Sequence, residues 1–342
     1  MKRLRRGTKR ATVDSAPALD SVPVTLLTGF LGSGKTTLLR RVLSAAEFSD
    51  TAVVINEIGE ISIDHYLVDF VDGDVVELPS GCLCCTVRED LAQTLRGLIN
   101  RRDAGEIRWF RRMVIETSGL ADPAPVLFTL GTDPMLDQRL RLDRVVTMVD
   151  AVTGVATLDR FAEAVRQAAV ADAIVVSKTD LAPFGRDLAA RLDALNPGAE
   201  RHLAAETAGP AEVLFAGLHR ATPLPSPTAA HSHGIAAFAI VLNSTVQRLD
   251  FARALGGLAQ DRGYDLLRVK GLIAFADRPD RPAVIQAAQH AMFTPEWLDG
   301  WPDADRRNRL VFIVHDIMPE EILDRFAFVS PSLLGTMVPE RC

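Results

Sequence analysis

Long hydrophobic runs are missing from the 342-residue chain. No apolar stretch approaches the ~20 residues that a membrane-spanning helix needs. A basic surplus is missing as well: 44 acidic residues against 38 basic ones leave a net charge of −6, which argues against a footprint for nucleic acid or an anionic membrane. Cysteine is scarce. Of the four, three crowd together as Cys82, Cys84 and Cys85, and the fourth is Cys342. Adjacent and next-but-one cysteines are poor disulfide partners, so a disulfide scaffold is excluded and the cluster reads as reduced thiols in a reducing, cytoplasmic compartment. A signal peptide is not expected, because no 7- to 15-residue apolar stretch follows the basic opening MKRLRRGTKR. Residues 1–21 read as a disordered basic tail. Internal repeats are absent.

What remains is an average globular composition, 48% apolar and 24% charged with 23 Gly and 19 Pro, long enough for about two domains at ~150 residues each. From residue 22 the chain alternates β-branched apolar runs (22–28, 52–58, 75–78, 111–117, 144–150, 173–177) with stretches of helical spacing (36–46, 87–101, 160–171, 185–195). Short apolar runs suit strands buried on both faces. The pattern predicts an α/β domain over 22–220, a doubly wound, mainly parallel sheet. Residues 221–234 (ATPLPSPTAAHSHG) lack apolar periodicity and read as a linker. Beyond them, strands at 235–242, 266–275, 283–290 and 309–317 with helices at 246–259 and from 319 predict a smaller α+β domain over 235–330, its helices on one face of a mostly antiparallel sheet.

Residues 29–36, GFLGSGKT, fit G-x-x-x-x-G-K-[ST] between a buried strand and a helical run. Gly29, Gly32, Ser33 and Gly34 would turn backbone N–H groups around a polyphosphate, Lys35 would reach its β/γ oxygens, Thr36 would ligate Mg²⁺, and Thr37 continues the helix start. The run RRMVIETSGLADP places Glu116 at a strand's end, where its carboxylate can approach Mg²⁺, and Gly119 where its N–H can meet a γ-phosphate. In ADAIVVSKTD, Asp180 can accept both N–H donors on the guanine edge while the Lys178 stem lies along the base. GTP is the implied nucleotide. Ser177 stands where ordinary GTPases carry Asn, and its shorter side chain is expected to lose one tether.

Gly81-Cys82-Leu83-Cys84-Cys85 precedes a helix beginning near Thr86, a setting that favours thiolates as soft ligands for Zn²⁺ or Cu(I). Small buried hydrophobes and a redox pair are the competing readings, the latter weakened because the spacing is not C-x-x-C. Glu57, in Asn56-Glu57-Ile58-Gly59-Glu60 after the second strand, could serve Mg²⁺, a transferred metal or a helix cap. His231 and His233 read as loop histidines, and His65, His290 and His315 as packing or hydrogen-bonding residues as readily as ligands.

In order, GFLGSGKTTLL, NEIGEISIDHYL, GCLCC, ETSGLADP, SKTD, HSHGI, RVKG (268–271) and DGWPDADRRNRLVFI (299–313) resemble the CobW-type metal-chaperone GTPases. The resemblance spans about residues 22–320. It implies a GTPase domain joined to a CobW-type C-terminal domain, and metal-linked hydrolysis with Zn²⁺ or Co²⁺ as the cargo. Glu57, Cys84 and Cys85 would be the ligands, with Cys82 a further one, and a client metalloprotein would dock on either domain. The family's longer His-rich stretch is reduced here to His231-Ser232-His233, and the N-terminal Cys-containing docking motif of some zinc members is absent. A nucleotide-dependent scaffold or activator of a metalloenzyme, with structural cysteines, is the alternative. The motifs set no oligomeric state.

Overall fold

The computed structural model describes residues 21–45, 48–56, 75–77, 86–205, 210–215 and 234–334. Its first half holds strands β1 (Val22–Gly29), β2 (Thr51–Asn56), β3 (Val75–Glu77), β4 (Arg112–Thr117), β5 (Leu140–Asp150), β6 (Ala173–Ser177) and β7 (Glu200–Leu203). Helices α1 (Lys35–Leu43), α2 (Thr86–Asp103), α3 (Ala124–Thr132), α4 (Pro134–Arg139), α5 (Gly154–Arg160), α6 (Ala162–Ala169), α7 (Arg186–Leu195) and α8 (Pro210–Phe215) lie among them. The strands form one sheet in the order β3-β2-β4-β1-β5-β6-β7, and every pairing in it is parallel. This is the doubly wound sheet that the apolar runs predict. Because β1 sits between β4 and β5, the connections leave in opposite directions on its two sides, which opens a crevice at the strands' C-terminal ends.

Several element bounds differ from the sequence reading. The fifth strand starts at Leu140 rather than 144, because Leu140 and Leu142 are buried although charged residues alternate with them. Helix α3, APVLFTLGT, is nearly all apolar, so it shows no helical stripe to read. α4, α5, α8 and β7 are short and carry no period long enough to detect.

The second half holds β8 (Ile235–Leu242), α9 (Arg248–Arg262), β9 (Arg268–Ile273), β10 (Ala283–Ala288), β11 (Ala291–Met292), β12 (Glu296–Trp297), β13 (Asn308–His315), α10 (Pro319–Arg325) and β14 (Pro331–Leu333). β11, β10, β9, β13, β8 and β14 line up in that order, and β12 pairs with β10. All of these pairings are antiparallel.

Strand alternation gives this sheet two destinations. Phe238, Ile240 and Leu242 of β8 pack with Phe251, Leu255 and Leu258 of α9 and with Ile322 and Phe326. Ile235 and Ala237 face the other way, with Leu267, Ala288 and Ile313, and join the core of the first sheet. The two sheets therefore share a hydrophobic seam.

A charged contact crosses the same seam. Arg268 and Lys270, from the RVKG run on β9, both reach the Asp172 carboxylate just before β6, at 3.0 and 3.1 Å. Asp172 also accepts from the Val145 N–H at 2.9 Å, and Gln286 accepts from Arg268 at 2.6 Å. Burial alone pushes the Asp172 carboxyl up; Arg268, Lys270 and the Val145 N–H outweigh it and hold it far below the usual carboxylate range.

Candidate nucleotide site

β1 ends in a glycine that nothing else could replace. Gly29 has φ 140°, and a Cβ there would lie 2.4 Å from the Met148 carbonyl oxygen on β5. The chain then folds over the sheet and enters α1 through Gly34, a left-handed N-cap at φ 94°. Gly32, at the crest, also takes a positive φ of 70°. α1 has no side-chain cap and no acidic residue in its first turn, so its N-terminal N–H groups suit an anion. Lys35 folds back beneath the loop, its Nζ donating to the carbonyls of Gly29 at 2.8 Å and Phe30 at 3.4 Å. Thr37 is exposed at the helix start.

Neighbouring strands bring the second loop against the first. Glu116 lies level with Leu27 in the β1/β4 register, and its Oε1 accepts from the Thr36 hydroxyl at 3.1 Å. The hydroxyls of Thr117 and Thr28 meet at 2.8 Å and lock the two strand ends together. Gly119 abuts the phosphate loop so closely that a Cβ would stand 2.6 Å from Leu31 N and 2.7 Å from Leu31 Cα. Gly119→Ala must therefore push the loops apart, because its obstacle is backbone. GTP turnover is expected to fall about tenfold, near the 1.4 kcal/mol that a modest misplacement costs. GDP affinity, set by the phosphate loop itself, should stay within about threefold; steady-state kinetics and a GDP titration check both.

The third loop of the site rises from β5 and β6, whose tips pair as Asp150 with Ser177. The tether expected to be lost at Ser177 is present: its hydroxyl donates to the Ser33 carbonyl at 2.6 Å. The short side chain suffices because the phosphate loop lies against it: a Cβ on Gly34 would stand in ordinary contact with the Ser177 Cβ, at 3.7 Å. Lys178 is left-handed at φ 55° and forms an ion pair with Asp150. Burial alone raises the Asp150 carboxyl, but Lys178 and the N–H groups of Val152 and Thr153 outweigh it and hold it below the usual range. Asp180 is exposed at the rim.

The residues Lys35, Thr36, Glu116, Gly119, Ser177, Lys178 and Asp180, from three stretches far apart in sequence, thus gather on the C-terminal ends of β1, β4 and β6. Glu57, Cys82, Cys84, Cys85, His231 and His233 lie outside the described residues. In the sequence Glu57 follows β2 and the three cysteines fall between β3 and α2, and Asn56 at the end of β2 pairs with Thr117 in the register with β4. Among the described residues no group of three His, Cys, Asp or Glu is placed to hold a metal. His290 instead contacts the Ala259 carbonyl at 2.8 Å, and His315 the Asp265 carboxylate at 3.2 Å. No helix among the described residues is long and apolar enough to cross a membrane.

Sequence reading missed two residues of the site. Asp150 holds Lys178, and the only linear hint is an aspartate ending an apolar run. Gln167 on α6 is fully buried and donates to the carbonyls of Gly119 at 3.2 Å and Ala121 at 2.9 Å. A lone glutamine on a helical stripe gives no linear signal.

A parallel sheet crowned by a glycine loop, a buried lysine and a threonine–carboxylate pair defines a P-loop nucleotide-binding protein with an appended antiparallel domain. Residues 23–202 match the family described as CobW/HypB/UreG, nucleotide-binding domain, and residues 235–329 match the cobalamin synthesis protein CobW C-terminal domain. The chain belongs to the CobW/HypB/UreG family. It is 32% identical over 317 residues to zinc chaperone YjiA of Escherichia coli, covering 90% of this chain and 99% of that one. It is also 32% identical over 346 residues to zinc chaperone CobW of Pseudomonas aeruginosa, at 87% and 89% coverage. The crystal structure of Zn(II)-bound YjiA GTPase from E. coli superposes with a TM-score of 0.66 at 30% identity, covering 91% of this chain and 99% of that one.

Proposed function

We propose that the chain is a GTP-hydrolysing metallochaperone that holds Zn²⁺ on its Cys-x-Cys-Cys loop and delivers it to a client metalloprotein under nucleotide control. The observation that carries the nucleotide half is the meeting of three loops: Lys35 beneath Gly29 and Phe30, Thr36 on Glu116, and Ser177 on Ser33. Gly29, Gly32, Ser33, Gly34 and Thr37 frame the phosphates, Lys35 meets the β/γ oxygens, and Gly119 offers its N–H to the γ-phosphate. Ser177 and Lys178 carry the base loop, and Asp180 reads guanine. The Thr36 hydroxyl and Glu116 carboxylate are hard oxygen donors that fit Mg²⁺, which when bound supplies charge to the phosphates in transfer.

The cargo half rests on donor chemistry and kinship. Glu57, Cys82, Cys84 and Cys85 give a borderline-soft set suited to Zn²⁺, with Co²⁺ a weaker occupant by the same donors. The relatives of similar length are named zinc chaperones. The domains are 22–220 and 235–330, joined by a linker at 221–234 and preceded by a tail at 1–21. A cytoplasmic setting fits three clustered reduced thiols. The client docks on the GTPase domain or the C-terminal domain, and neither nucleic acid nor membrane is a partner.

Coupling between cargo and nucleotide is reciprocal by thermodynamic necessity. Zn²⁺ affinity is expected to differ about 5- to 150-fold between the GTP-analogue and GDP forms, with GTP affinity changing by the same factor on Zn²⁺ loading. Anaerobic competition titrations in each nucleotide state measure this. Equal zinc affinities in all states would remove nucleotide control.

A further inference from the structure

Gln167 is a polar side chain beside the nucleotide loops with no exposed surface. It lies in the middle of a hydrophobic helix–sheet layer, among Val165, Ala168 and Ala169, where an aliphatic residue would pack without polar cost. Both of its N–H donors are spent on main-chain carbonyls of one loop, those of Gly119 and Ala121. Its Oε1 is buried without a hydrogen-bond partner. Gln167 also lines a small cavity behind the phosphate loop together with Ser33, whose hydroxyl is likewise buried and unpartnered. One residue thus holds the loop after β4 and shares a cavity with the loop after β1.

The helix that carries it is fixed at several points. The Thr147 hydroxyl on β5 donates to the Gln167 carbonyl at 2.7 Å. Asn196 donates to the carbonyls of Ala168, Ala169 and Ala171 at 3.1, 3.0 and 2.8 Å and so clamps the C-terminal end of α6. Gln167 is therefore a post on a rigid element, and the 119–121 backbone is what it holds. Gly119 is trapped between this post and Leu31.

We propose that Gln167 is a positioning residue for phosphoryl transfer: its carboxamide fixes the 119–121 backbone so that the Gly119 N–H stays aimed at the γ-phosphate. The inference rests on the GTPase reading and deepens it. Because the α- and β-phosphates are held by the phosphate loop and not by Gly119, loss of the carboxamide should act on kcat and leave nucleotide binding nearly intact.

The experiment compares the full-length wild type with Gln167→Met, which keeps the side-chain length and loses both donors, and with Thr147→Val, which keeps the carboxamide and loosens α6. GTP turnover, KM for GTP, GDP affinity and melting temperature are read for each. Gln167→Met is expected to lower kcat at least about tenfold with KM and GDP affinity within about threefold, and Thr147→Val to lower kcat severalfold with the same split. A lowered melting temperature with wild-type kcat at a temperature where the variant is folded would overturn the inference alone. Should Gln167→Met fail to fold, Thr147→Val decides by the same criterion. A wild type that binds GDP but does not turn over GTP overturns the GTPase reading itself, a result distinct from either variant outcome.

Discussion

Replacing Asp172 by alanine lowers the stability of the protein by about 3–5 kcal/mol, the usual loss when one member of a buried ion pair is removed and its partner left uncompensated. The partner here is severe. Arg268 is 3% exposed, its Nε and Nη1 already lack hydrogen-bond partners, and Asp172 accepts from its Nη2 through both carboxylate oxygens at 3.1 and 3.0 Å. Lys270 loses the same carboxylate. Urea unfolding measures the loss as a lower midpoint.

The pH dependence follows from the direction of the Asp172 shift. Its carboxyl is held below the unfolded value near 3.9. Its contribution is therefore full above about pH 4 and is lost as pH falls from there toward the folded value. Wild type and Asp172→Ala should differ by a constant amount from pH 8 to 5 and converge below about pH 4. A gap that persists unchanged to pH 2.5 would show that lost packing, not lost charge, accounts for the destabilisation.

A buried ion pair is weak evidence for net stability, since a well-packed apolar replacement is often as good. Its value at this seam lies in direction. The shared apolar contacts of Ile235, Ala237, Leu267 and Ile313 tolerate sliding, whereas a carboxylate held by Arg268, Lys270 and the Val145 N–H admits one docking of β9 on β6. Asp172 opens the strand whose far end carries Ser177, Lys178 and Asp180. The RVKG run, legible only as a resemblance in the sequence, thus ties the second domain to the foot of β6.

What could be read linearly and what could not divide along physical lines. The phosphate loop, the Glu116–Gly119 turn and the Ser177–Asp180 turn each sit at the end of a buried strand, so periodicity and motif point to the same place. The parallel sheet was legible for the same reason. Gln167, Asp150 and Asp172 are single polar residues inside apolar patterns, and their partners lie on other elements: 46–48 residues away for Gln167, 28 for Asp150 and 96–98 for Asp172. No local period encodes such a contact. Helix α3 escaped notice because burial on several sides erases the polar face that marks a helix.

Lys35→Met is expected to reduce GTP turnover by about 10²- to 10³-fold, the range seen when a single preorganised donor to a developing charge is removed. The lysine is 8% exposed, and its Nζ rests on the Gly29 and Phe30 carbonyls, a position under the crest of the loop that suits the proposed contact with the β/γ oxygens. Methionine keeps the stem and its packing while deleting the charge, so the folded protein should survive and GDP should bind with a smaller loss than a GTP analogue, because fewer of the lysine's phosphate partners are present. Lys35→Arg is no rescue: a planar fork cannot occupy the space of a compact ammonium between two carbonyls 2.8 and 3.4 Å away. Zn²⁺ affinity of the nucleotide-free protein should be unchanged in both variants, since the side chain altered lies on the phosphate loop and the proposed thiolates lie on another, and that separates a nucleotide defect from a cargo defect in one pair of titrations. Turnover within tenfold of wild type in Lys35→Met would place the reacting phosphate away from this loop and require a different reading of the cradle.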